Sequence, residues 1–449
     1  MVAWNDRGID PNNGGFPRFR SFFGWAYSTS AGASWKYCNA VIPGCGVCNM
    51  GGPGFCPSGD TVPLASNGQL TQQAWRGDPA IAGAPGWILA AAQLANTLNP
   101  FPQSADTLVV STSLDFGATF VNTQFVDDVS APGFSGCGGG FEDQQSIVFD
   151  SQSTEIPRVF VAWRHRDPIT FHRGCVRGGE VDTSTGQVTW FMPATPIPAT
   201  TDFGRGIGGV RVVAFGAALS IMYTNTDGPI AGCGLNGLDY YVLTSFNSGR
   251  SWPQNVRIAH YDNQPSCLPS SANPAVSTGI REWAFTQDPS RGRLLAAIPN
   301  QASTLDVWFS DDFGLIWQKS GFVDISAAPG RFLFFPTIAV DDVGRVAVSF
   351  QEIDVTGTTV DTLFTLDPDG PDGPVEFLPP VIASAASYSP AGAIGGRSLG
   401  DYAEMVSIPS RQLLTDDIGP TFMPTWSETY LSATGARADR PFAALVEYV

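Results

Sequence analysis

A short turn motif that recurs along the chain constrains the fold more than any other feature. Its pattern is Ser, any residue, then Asp, Asn or Ser, any residue, Gly, two further residues and an aromatic residue. The four copies occupy 28–35, 113–120, 245–252 and 310–317, and each follows an apolar run with the character of a strand. An Asp or Asn side chain accepts hydrogen bonds from backbone N–H groups two residues on, and Gly supplies a positive φ. The motif therefore predicts a β-hairpin turn that closes over an aromatic ring.

The motif residues are expected to hold turns rather than to carry chemistry. Asp115 and Asp312 keep an acid at the third position, whereas Asn247 and Ser30 replace it with another hydrogen-bond acceptor. The intervals between the copies leave room for degenerate turns at 181–190 and at 365–370. The structural set is Ser113, Asp115, Gly117, Asn247, Gly249, Trp252, Asp312, Gly314 and Trp317.

A second repeat, an apolar run that ends in an aromatic or polar residue, alternates with the turn motif. Most of its copies follow another run with strand character, so each unit contains four strands with the motif between the third and the fourth. Such units are the blades of a β-propeller. We therefore predict an all-β, single-domain propeller over 1–449, with seven blades favoured and six as the alternative. A Cys/Gly/Pro-rich insertion occupies about 38–60. The copies are 2–5, 87–90, 159–163, 219–223, 294–298, 346–350 and 422–426.

On these residues the chain resembles the Asp-box β-propellers, also called bacterial neuraminidase repeat proteins, whose best-known members are sialidases. The resemblance implies a glycan as the ligand. It also implies an active site with three arginines that hold a carboxylate, a Tyr nucleophile with a Glu partner, and an Asp acid/base. The family's early Phe/Tyr-Arg-Ile/Leu-Pro string has only a scrambled counterpart here, at 16–20, so the full sialidase set is not found.

The charge balance excludes one class of partner. The chain has 24 Lys and Arg against 41 Asp and Glu, a net charge of −17, and nucleic-acid binding requires a basic surface.

No apolar run approaches the ~18 residues of a membrane-spanning helix. The first six residues lack the basic and apolar regions of a signal peptide, so we expect Met1 to open a mature or trimmed chain.

The cysteines favour an exported protein, secreted or at the cell surface. Their number is eight, which is even, and disulfides persist outside the reducing cytosol. We predict the pairs Cys137–Cys175 and Cys233–Cys267 as staples between loops. The close group of Cys38, Cys45, Cys48 and Cys56 is expected to pair within itself, with a four-thiolate zinc site as the alternative.

Loop lengths indicate which end of the sheets carries the functional site. The loops between first and second strands share one end with the motif turns and are short. The other end receives the second-to-third loops and the loops between blades, which are long, for example 127–143 and 164–174. We call it the long-loop end. Sites tend to be built on long loops held by a rigid scaffold, so we expect the site there, around the central axis.

The candidate catalytic residues all lie at this end. Arg164, His165 and Asp167 form the densest titratable group, for which acid–base work, metal binding and a solvated polar loop are the alternatives. Arg281, Glu282, Asp401 and Tyr402 open other first strands, and a Tyr near a Glu is the pairing that the resemblance implies.

Other polar and aromatic residues are candidates for binding. The set is Arg76, Asp78, His172, Arg205 and Arg397, of which the last two lie in Gly-rich loops suited to a carboxylate or sulfate. Aromatic residues such as Tyr261 stack on sugar rings or belong to the core.

No cofactor or metal is predicted apart from one low-ranked candidate. The acidic turn 367–373 offers oxygen ligands for Ca²⁺ but lacks the EF-hand spacing.

Two functions remain open at this stage. One is a carbohydrate-active enzyme, a glycoside hydrolase or a polysaccharide lyase. The other is a non-catalytic module that binds glycan or protein at a cell surface or in an extracellular assembly. Acidic and Arg side chains converging on a closed pocket would favour the enzyme, and a shallow face lined by aromatic rings would favour the binding module.

Overall fold

The fold was analysed in a computed structural model. It describes residues 2–4, 24–27, 36–38, 73–84, 88–97, 106–115, 122–126, 137, 141–153, 155–166, 172–197, 206–226, 235–265, 283–300, 304–324, 332–354, 359–368, 375–384, 404–408, 421–431, 437–443 and 446–447. All regular secondary structure in these ranges is β-strand, which confirms that the fold is all-β. Across the same ranges we find no helical segment with the length and apolar character needed to cross a bilayer.

The chain divides into two compact units, Met1–Tyr223 with Thr244–Pro253, and Thr224–Leu243 with Gln254–Val449. The strands form antiparallel sheets in chain order. The first sheet contains β1 (Val2–Trp4), β2 (Gly24–Tyr27) and β3 (Lys36–Cys38). The second contains β4 (Gln73–Ala84), β5 (Ile88–Thr97), β6 (Asp106–Ser113) and β7 (Asn122–Phe125). The third contains β8 (Phe141–Phe149), β9 (Arg158–Arg166), β10 (His172–Val181), β11 (Val188–Trp190) and β12 (Thr195–Pro196), of which β12 pairs with β10.

Four further sheets follow the same plan. The fourth contains β13 (Gly206–Phe215), β14 (Ala218–Thr226), β15 (Leu235–Ser245) and β16 (Gln254–Pro265). The fifth contains β17 (Ala284–Gln287), β18 (Leu294–Asn300), β19 (Thr304–Ser310) and β20 (Gln318–Asp324). The sixth contains β21 (Phe332–Val340), β22 (Val346–Ile353), β23 (Val360–Asp367) and β24 (Val381–Ile382). The seventh contains β25 (Glu404–Ile408), β26 (Thr421–Leu431), β27 (Arg437–Ala443) and β28 (Val446–Glu447), of which β27 and β28 both pair with β26.

The first strands of successive sheets pack against one another within each unit. β4, β8 and β13 do so in one unit, and β17, β21 and β25 do so in the other. The second and third strands lie inside the layers, and every residue of β22 and β23 is buried. This explains why these runs are continuously apolar rather than alternating. Four-stranded meanders with packed first strands are the arrangement of propeller blades.

In the second, fourth and fifth sheets the turn motif lies between the third and fourth strands, as the sequence predicts. In the copy that begins at Ser310, the serine Oγ donates to Asp312 Oδ1 at 2.7 Å and accepts from Gly314 N at 2.8 Å. Asp312 Oδ1 also accepts from Ile316 N at 2.9 Å. The φ angles of Phe313 and Gly314 are 58° and 91°. The third position is therefore a hydrogen-bond acceptor that holds a left-handed turn closed.

The copy that begins at Ser245 makes the same contacts with an amide in place of the acid. Asn247 Oδ1 accepts from Ser245 Oγ at 2.9 Å and from Ser251 N at 2.8 Å, and Gly249 N donates to Ser245 Oγ at 2.8 Å. Acid and amide are interchangeable in these contacts because a single side-chain oxygen makes them, and Asn247 Nδ2 adds one further bond to Ser251 Oγ at 2.8 Å. At 113–120 the bond from Ser113 Oγ to Asp115 Oδ1 measures 2.9 Å, and Gly117 lies outside the described residues.

This equivalence gives a prediction for the motif at 310–317. We expect Asp312→Asn to change the free energy of unfolding by less than about 0.5 kcal/mol, because the amide oxygen keeps both bonds. Asp312→Ala removes the acceptor and should cost about 1–2 kcal/mol. Urea denaturation of the two variants beside wild type measures the difference. Equal stabilities of the Ala and Asn variants would contradict this role for the side-chain oxygen.

A second turn repeat, between first and second strands, was missed by the sequence analysis. Asp150, Asp288 and Asp341 follow directly after β8, β17 and β21, and each is 1% exposed. In each turn Oδ1 of the aspartate accepts from the backbone N–H two residues on. The aspartate N–H donates to the carbonyl of an arginine that begins or precedes the second strand, and those arginines are Arg158, Arg293 and Arg345. These buried acids are therefore structural.

Three first strands carry a bulge at an equivalent place. In β4, β8 and β21 two residues face a single residue of the second strand: 78–79 face Gln93, 144–145 face Trp163, and 335–336 face Phe350. Gln144 and Phe335, the first bulge residues of β8 and β21, have φ angles of 49° and 47°. A bulge bends the strand and re-aims its side chains. These bulges lie at the middle of each of the three strands.

Candidate functional site

A buried acid–imidazole pair lies at the long-loop end of the third sheet. Glu142 lies two residues ahead of the bulge in β8, and it faces His165 of β9 directly in the strand register. The distance from His165 Nδ1 to Glu142 Oε1 is 2.7 Å. The side chain of His165 is 4% exposed and that of Glu142 is 0% exposed. A carboxylate removed from water is stabilised only if polar partners replace its solvation, and the imidazole N–H is one such partner.

The next register pair along these two strands also consists of ionisable residues. Arg164 faces Asp143 across the two strands. Because side chains alternate along a strand, Arg164 and His165 project from opposite faces of the sheet. Arg164 is half-buried. The expectation of a solvated loop at 164–165 is therefore wrong, because both residues belong to β9 and the imidazole is in the core.

The other predicted site residues are only partly covered by the structure. Arg76 and Asp78 lie in β4. Arg76 is an extra residue in the register, because Trp75 and Gly77 on either side of it face the consecutive residues Ala95 and Leu94 of β5. His172 begins β10 and faces Arg166. The remaining candidates lie outside the described residues, and their roles stay predictions: Asp167, Arg205, Arg281, Glu282, Arg397, Asp401 and Tyr402.

One predicted disulfide is present beside the acid–imidazole pair. Cys137 and Cys175 are bonded, with a Cα–Cα distance of 6.0 Å, and both are buried. Cys175 lies within β10, opposite Trp163, rather than on a loop as expected. The bond therefore fixes the segment ahead of β8 to the strand next to β9. Cys38 lies in β3, and the other five cysteines, Cys45, Cys48, Cys56, Cys233 and Cys267, fall outside the described residues.

A second polar group lines an open cleft of about 510 Å³ in the unit that contains the fifth sheet. It lies between β16 and the strands β18 to β20. We call it the Tyr261 cleft. Its lining residues are Arg257, Ile258, Ala259, His260, Tyr261, Asn300, Asp306, Trp308 and Lys319.

Asp306 is the polar centre of the Tyr261 cleft. Its Oδ2 accepts from the Tyr261 hydroxyl at 2.7 Å and from Asn300 Nδ2 at 3.2 Å. Its Oδ1 is 2.9 Å from Lys319 Nζ. Trp308 Nε1 donates to the Tyr261 hydroxyl at 3.4 Å. Each oxygen of this buried carboxylate thus has a partner, so Asp306 acts as an anchor for the cleft rather than as an acid or base.

Tyr261 is not suited to act as a nucleophile. Burial raises the pKa of its hydroxyl well above the usual value of about 10, and the charge of Asp306 raises it further. The phenol therefore keeps its proton and donates a hydrogen bond to the carboxylate. The sequence resemblance implies a Tyr nucleophile beside an acid, and the Tyr261–Asp306 pair does not provide one.

His260 sits between two carboxylates at the rim of the same cleft. Its Nδ1 is 2.8 Å from Asp239 Oδ1, and its Nε2 is 3.0 Å from Asp262 Oδ1. The hydrogen bond to Asp239, followed by that to Asp262, raises the pKa of His260 above its usual value of about 6.5. The protonated ring donates to both acids, so the cation is the favoured form.

This arrangement predicts a pH dependence of stability. A raised pKa in the folded state means that the contribution of His260 is complete below about pH 6.5 and is lost as the pH rises through the folded pKa. At low pH we expect the free energy of unfolding to be higher for wild type than for His260→Gln. The difference should be no more than about 1 kcal/mol, because His260 is partly exposed to solvent. The advantage should vanish at high pH. Denaturation of both proteins across this range measures it, and a constant difference would contradict the assignment.

Among the described residues, no group of three or more His, Cys, Asp and Glu side chains is arranged to hold an ion. The Ca²⁺ candidate 367–373 is described only as far as residue 368. It therefore stays a prediction.

Comparison with known proteins gives structural similarity without sequence similarity. No family model matches the chain, and no curated protein matches it. A Trypanosoma rangeli sialidase in complex with the inhibitor DANA is similar at 12% identity and a TM-score of 0.44, over 86% of this chain and 57% of that one. A Penicillium chrysogenum α-L-arabinanase with arabinobiose is similar at 12% identity and a TM-score of 0.43, over 82% and 92% of the two chains. The α-L-arabinofuranosidase Arb93A from Fusarium graminearum is similar at 10% identity and a TM-score of 0.44, with the same coverage.

The present chain thus spans little more than half the length of that sialidase.

Proposed function

We propose that the protein is an exported β-propeller that acts on glycans, and that it is a glycoside hydrolase with its site at the long-loop end of the first strands. The observation that carries this proposal is the buried pair of Glu142 and His165, 2.7 Å apart beside a bulge. Ionisable groups held in a low-dielectric environment with a specific partner are concentrated at functional sites. Disulfide bonding of Cys137 and Cys175 supports the exported compartment.

The chemistry assigned to the pair is proton transfer. Glu142 accepts a hydrogen bond from the Nδ1–H of His165, which fixes the tautomer and the orientation of the ring. Proton exchange with the glycosidic oxygen or a water molecule would then take place at Nε2. A positioned acid–base group of this kind lowers the barrier because the leaving oxygen is protonated as the bond breaks.

A second catalytic group is needed, because glycoside hydrolases of most families use two. We assign it to Asp167, the predicted acidic candidate that follows directly after β9 in the sequence. Arg164 projects from the opposite face of β9, two residues before the strand ends, and we assign it to binding a part of the substrate away from the reacting bond. Its guanidinium offers several N–H donors to sugar hydroxyls or to a carboxylate.

The proposal is tested by hydrolysis of a panel of fluorogenic glycosides that includes arabinosides, hexosides and sialosides. Wild type should turn over at least one of them, and Arg164→Ala should raise KM or abolish turnover. Arg250→Ala is a matched control, because Arg250 is an exposed residue of a motif turn at the other end of the sheet. It should behave as wild type. Absence of turnover on every substrate by folded protein would overturn the enzyme proposal.

The second candidate function, a non-catalytic glycan- or protein-binding module, is favoured by a different observation. His165 is 3% exposed and Glu142 is 0% exposed, which also suits a pair that ties two strands together. The Tyr261 cleft, by contrast, is open and lined by aromatic and polar side chains. Glycan binding without turnover is the result that this alternative predicts.

A further inference from the structure

The Tyr261 cleft is built as a rigid, partly aromatic surface. Tyr261 and Trp308 are both half-buried. The ring of Tyr261 packs edge-on against Tyr240 at a centroid distance of 5.8 Å, and Tyr240 packs in the same way against Trp283 at 5.9 Å. The hydroxyl bond to Asp306 fixes the remaining freedom of the Tyr261 ring. Rings held in place before binding lose little conformational freedom when a ligand arrives.

Polar groups with spare hydrogen-bonding capacity surround these rings. Lys319 has three N–H donors and a side chain that is 42% exposed. Arg257 has five, and its side chain is 57% exposed. A register shift between Val307 and Trp308 leaves Ser320 as an extra residue in β20 and sets Trp308 opposite Lys319. The bulge therefore sets Lys319 across from Trp308, and both residues line the cleft.

The charges of the cleft cancel. Lys319 is paired with Asp306 at 2.9 Å, and Arg257 is paired with Asp239 at 3.3 Å. His260 is held between Asp239 and Asp262. An anionic ligand would have to compete with these carboxylates for the cations, whereas a neutral ligand that both donates and accepts hydrogen bonds would join the existing network.

We propose that the Tyr261 cleft binds one or two sugar units of a neutral glycan, at a site separate from the Glu142–His165 pair. The ring of the sugar lies against Trp308 and Tyr261, and its hydroxyl groups bond to Lys319, Asn300 and Arg257. The volume of about 510 Å³ is within the usual range for small-ligand sites. The choice of a glycan as ligand class rests on the proposed function, while the preference for a neutral one rests on the paired charges.

Calorimetric titration of the full chain with soluble oligosaccharides tests the site. The panel contains neutral arabino-, gluco-, manno- and galacto-oligosaccharides, with oligogalacturonides and sialyllactose as the acidic members. We expect a neutral member to bind, with Trp308→Ala weakening the affinity about tenfold or more, equivalent to about 1.4 kcal/mol. Trp308→Phe keeps an aromatic ring and should stay within about threefold of wild type. Trp190→Ala is the control, because Trp190 is a half-buried tryptophan on the third sheet.

Each result decides the assignment. Equal binding by wild type and Trp308→Ala, preference for an acidic oligosaccharide, or no binding of any member by folded wild type would overturn it. Hydrolysis of small fluorogenic glycosides should be unchanged in Trp308→Ala. Failure of the proposed enzyme function would appear as missing turnover, which the titration does not require, so the two failures are distinguishable.

Discussion

Replacing His165 with Gln is expected to reduce turnover by about 10²- to 10⁴-fold, the usual contribution of a positioned acid–base group. Gln is the suitable replacement because its amide N–H can still donate to Glu142, so the buried carboxylate keeps a partner. The substitution removes the proton exchange that only an imidazole provides at this position. The measurement is kcat on whichever glycoside wild type hydrolyses, with the fold checked by circular dichroism.

The pH profile separates chemistry from packing. If His165 exchanges protons with the substrate, His165→Gln should lower kcat and should also lose one limb of the wild-type plot of kcat against pH. Glu142→Gln should keep the limb but shift it, because Glu142 acts through the imidazole and not on the substrate. His260→Gln, which alters a histidine of the other unit, is the control and should keep both rate and profile. Full turnover by folded His165→Gln would show that the pair only ties two strands together.

The sequence predicted the sheets well because their turns are local. The motif at Ser310 closes through bonds between residues two to four positions apart, so its chemistry is visible in a short string. The apolar runs such as 346–350 are equally local, and they coincide with strands buried on both faces. The aspartate turns after β8, β17 and β21 were missed although they are also local, because the aspartate and its arginine are separated by a variable number of residues.

The candidate site was harder to predict because it depends on register. His165 was singled out, but its partner Glu142 lies 23 residues earlier. The two meet only because β8 and β9 pair with a bulge between Asp143 and Ser146, and a shift of one residue would place Glu142 on the other face. Tyr261 and Asp306 are 45 residues apart and on different sheets. Contacts between residues so far apart in the sequence cannot be predicted from any short segment.

The Cys137–Cys175 pair was predicted correctly, but its setting was not. Both cysteines were expected on loops, since the loops at this end are long. The structure places Cys175 within β10, where it is fully buried opposite Trp163. A strand position of this kind is not visible from cysteine spacing, because the start of β10 at His172 depends on its pairing with β9.

Removing this disulfide is expected to lower the free energy of unfolding by about 4 kcal/mol. The bonded residues are 38 apart, and cross-linking a loop of that length restricts the unfolded chain by about this amount in the chain-entropy model. The suitable variant is Cys137→Ala with Cys175→Ala, because alanine leaves no polar group in the buried site. Guanidinium denaturation beside the oxidised wild type gives the difference, and the cross-link should resist reductant until the protein unfolds.

The same variant shows how the bond acts. A cross-link that mainly restricts the unfolded chain leaves the folded state unchanged, so the double alanine variant should keep wild-type turnover under conditions in which it is fully folded. Loss of turnover at full folding would instead mean that the bond positions β9 and β10, and with them His165. A difference in unfolding free energy below about 1 kcal/mol would contradict the entropic account, because the loop closed by Cys137 and Cys175 is too long to give so small a value in that model.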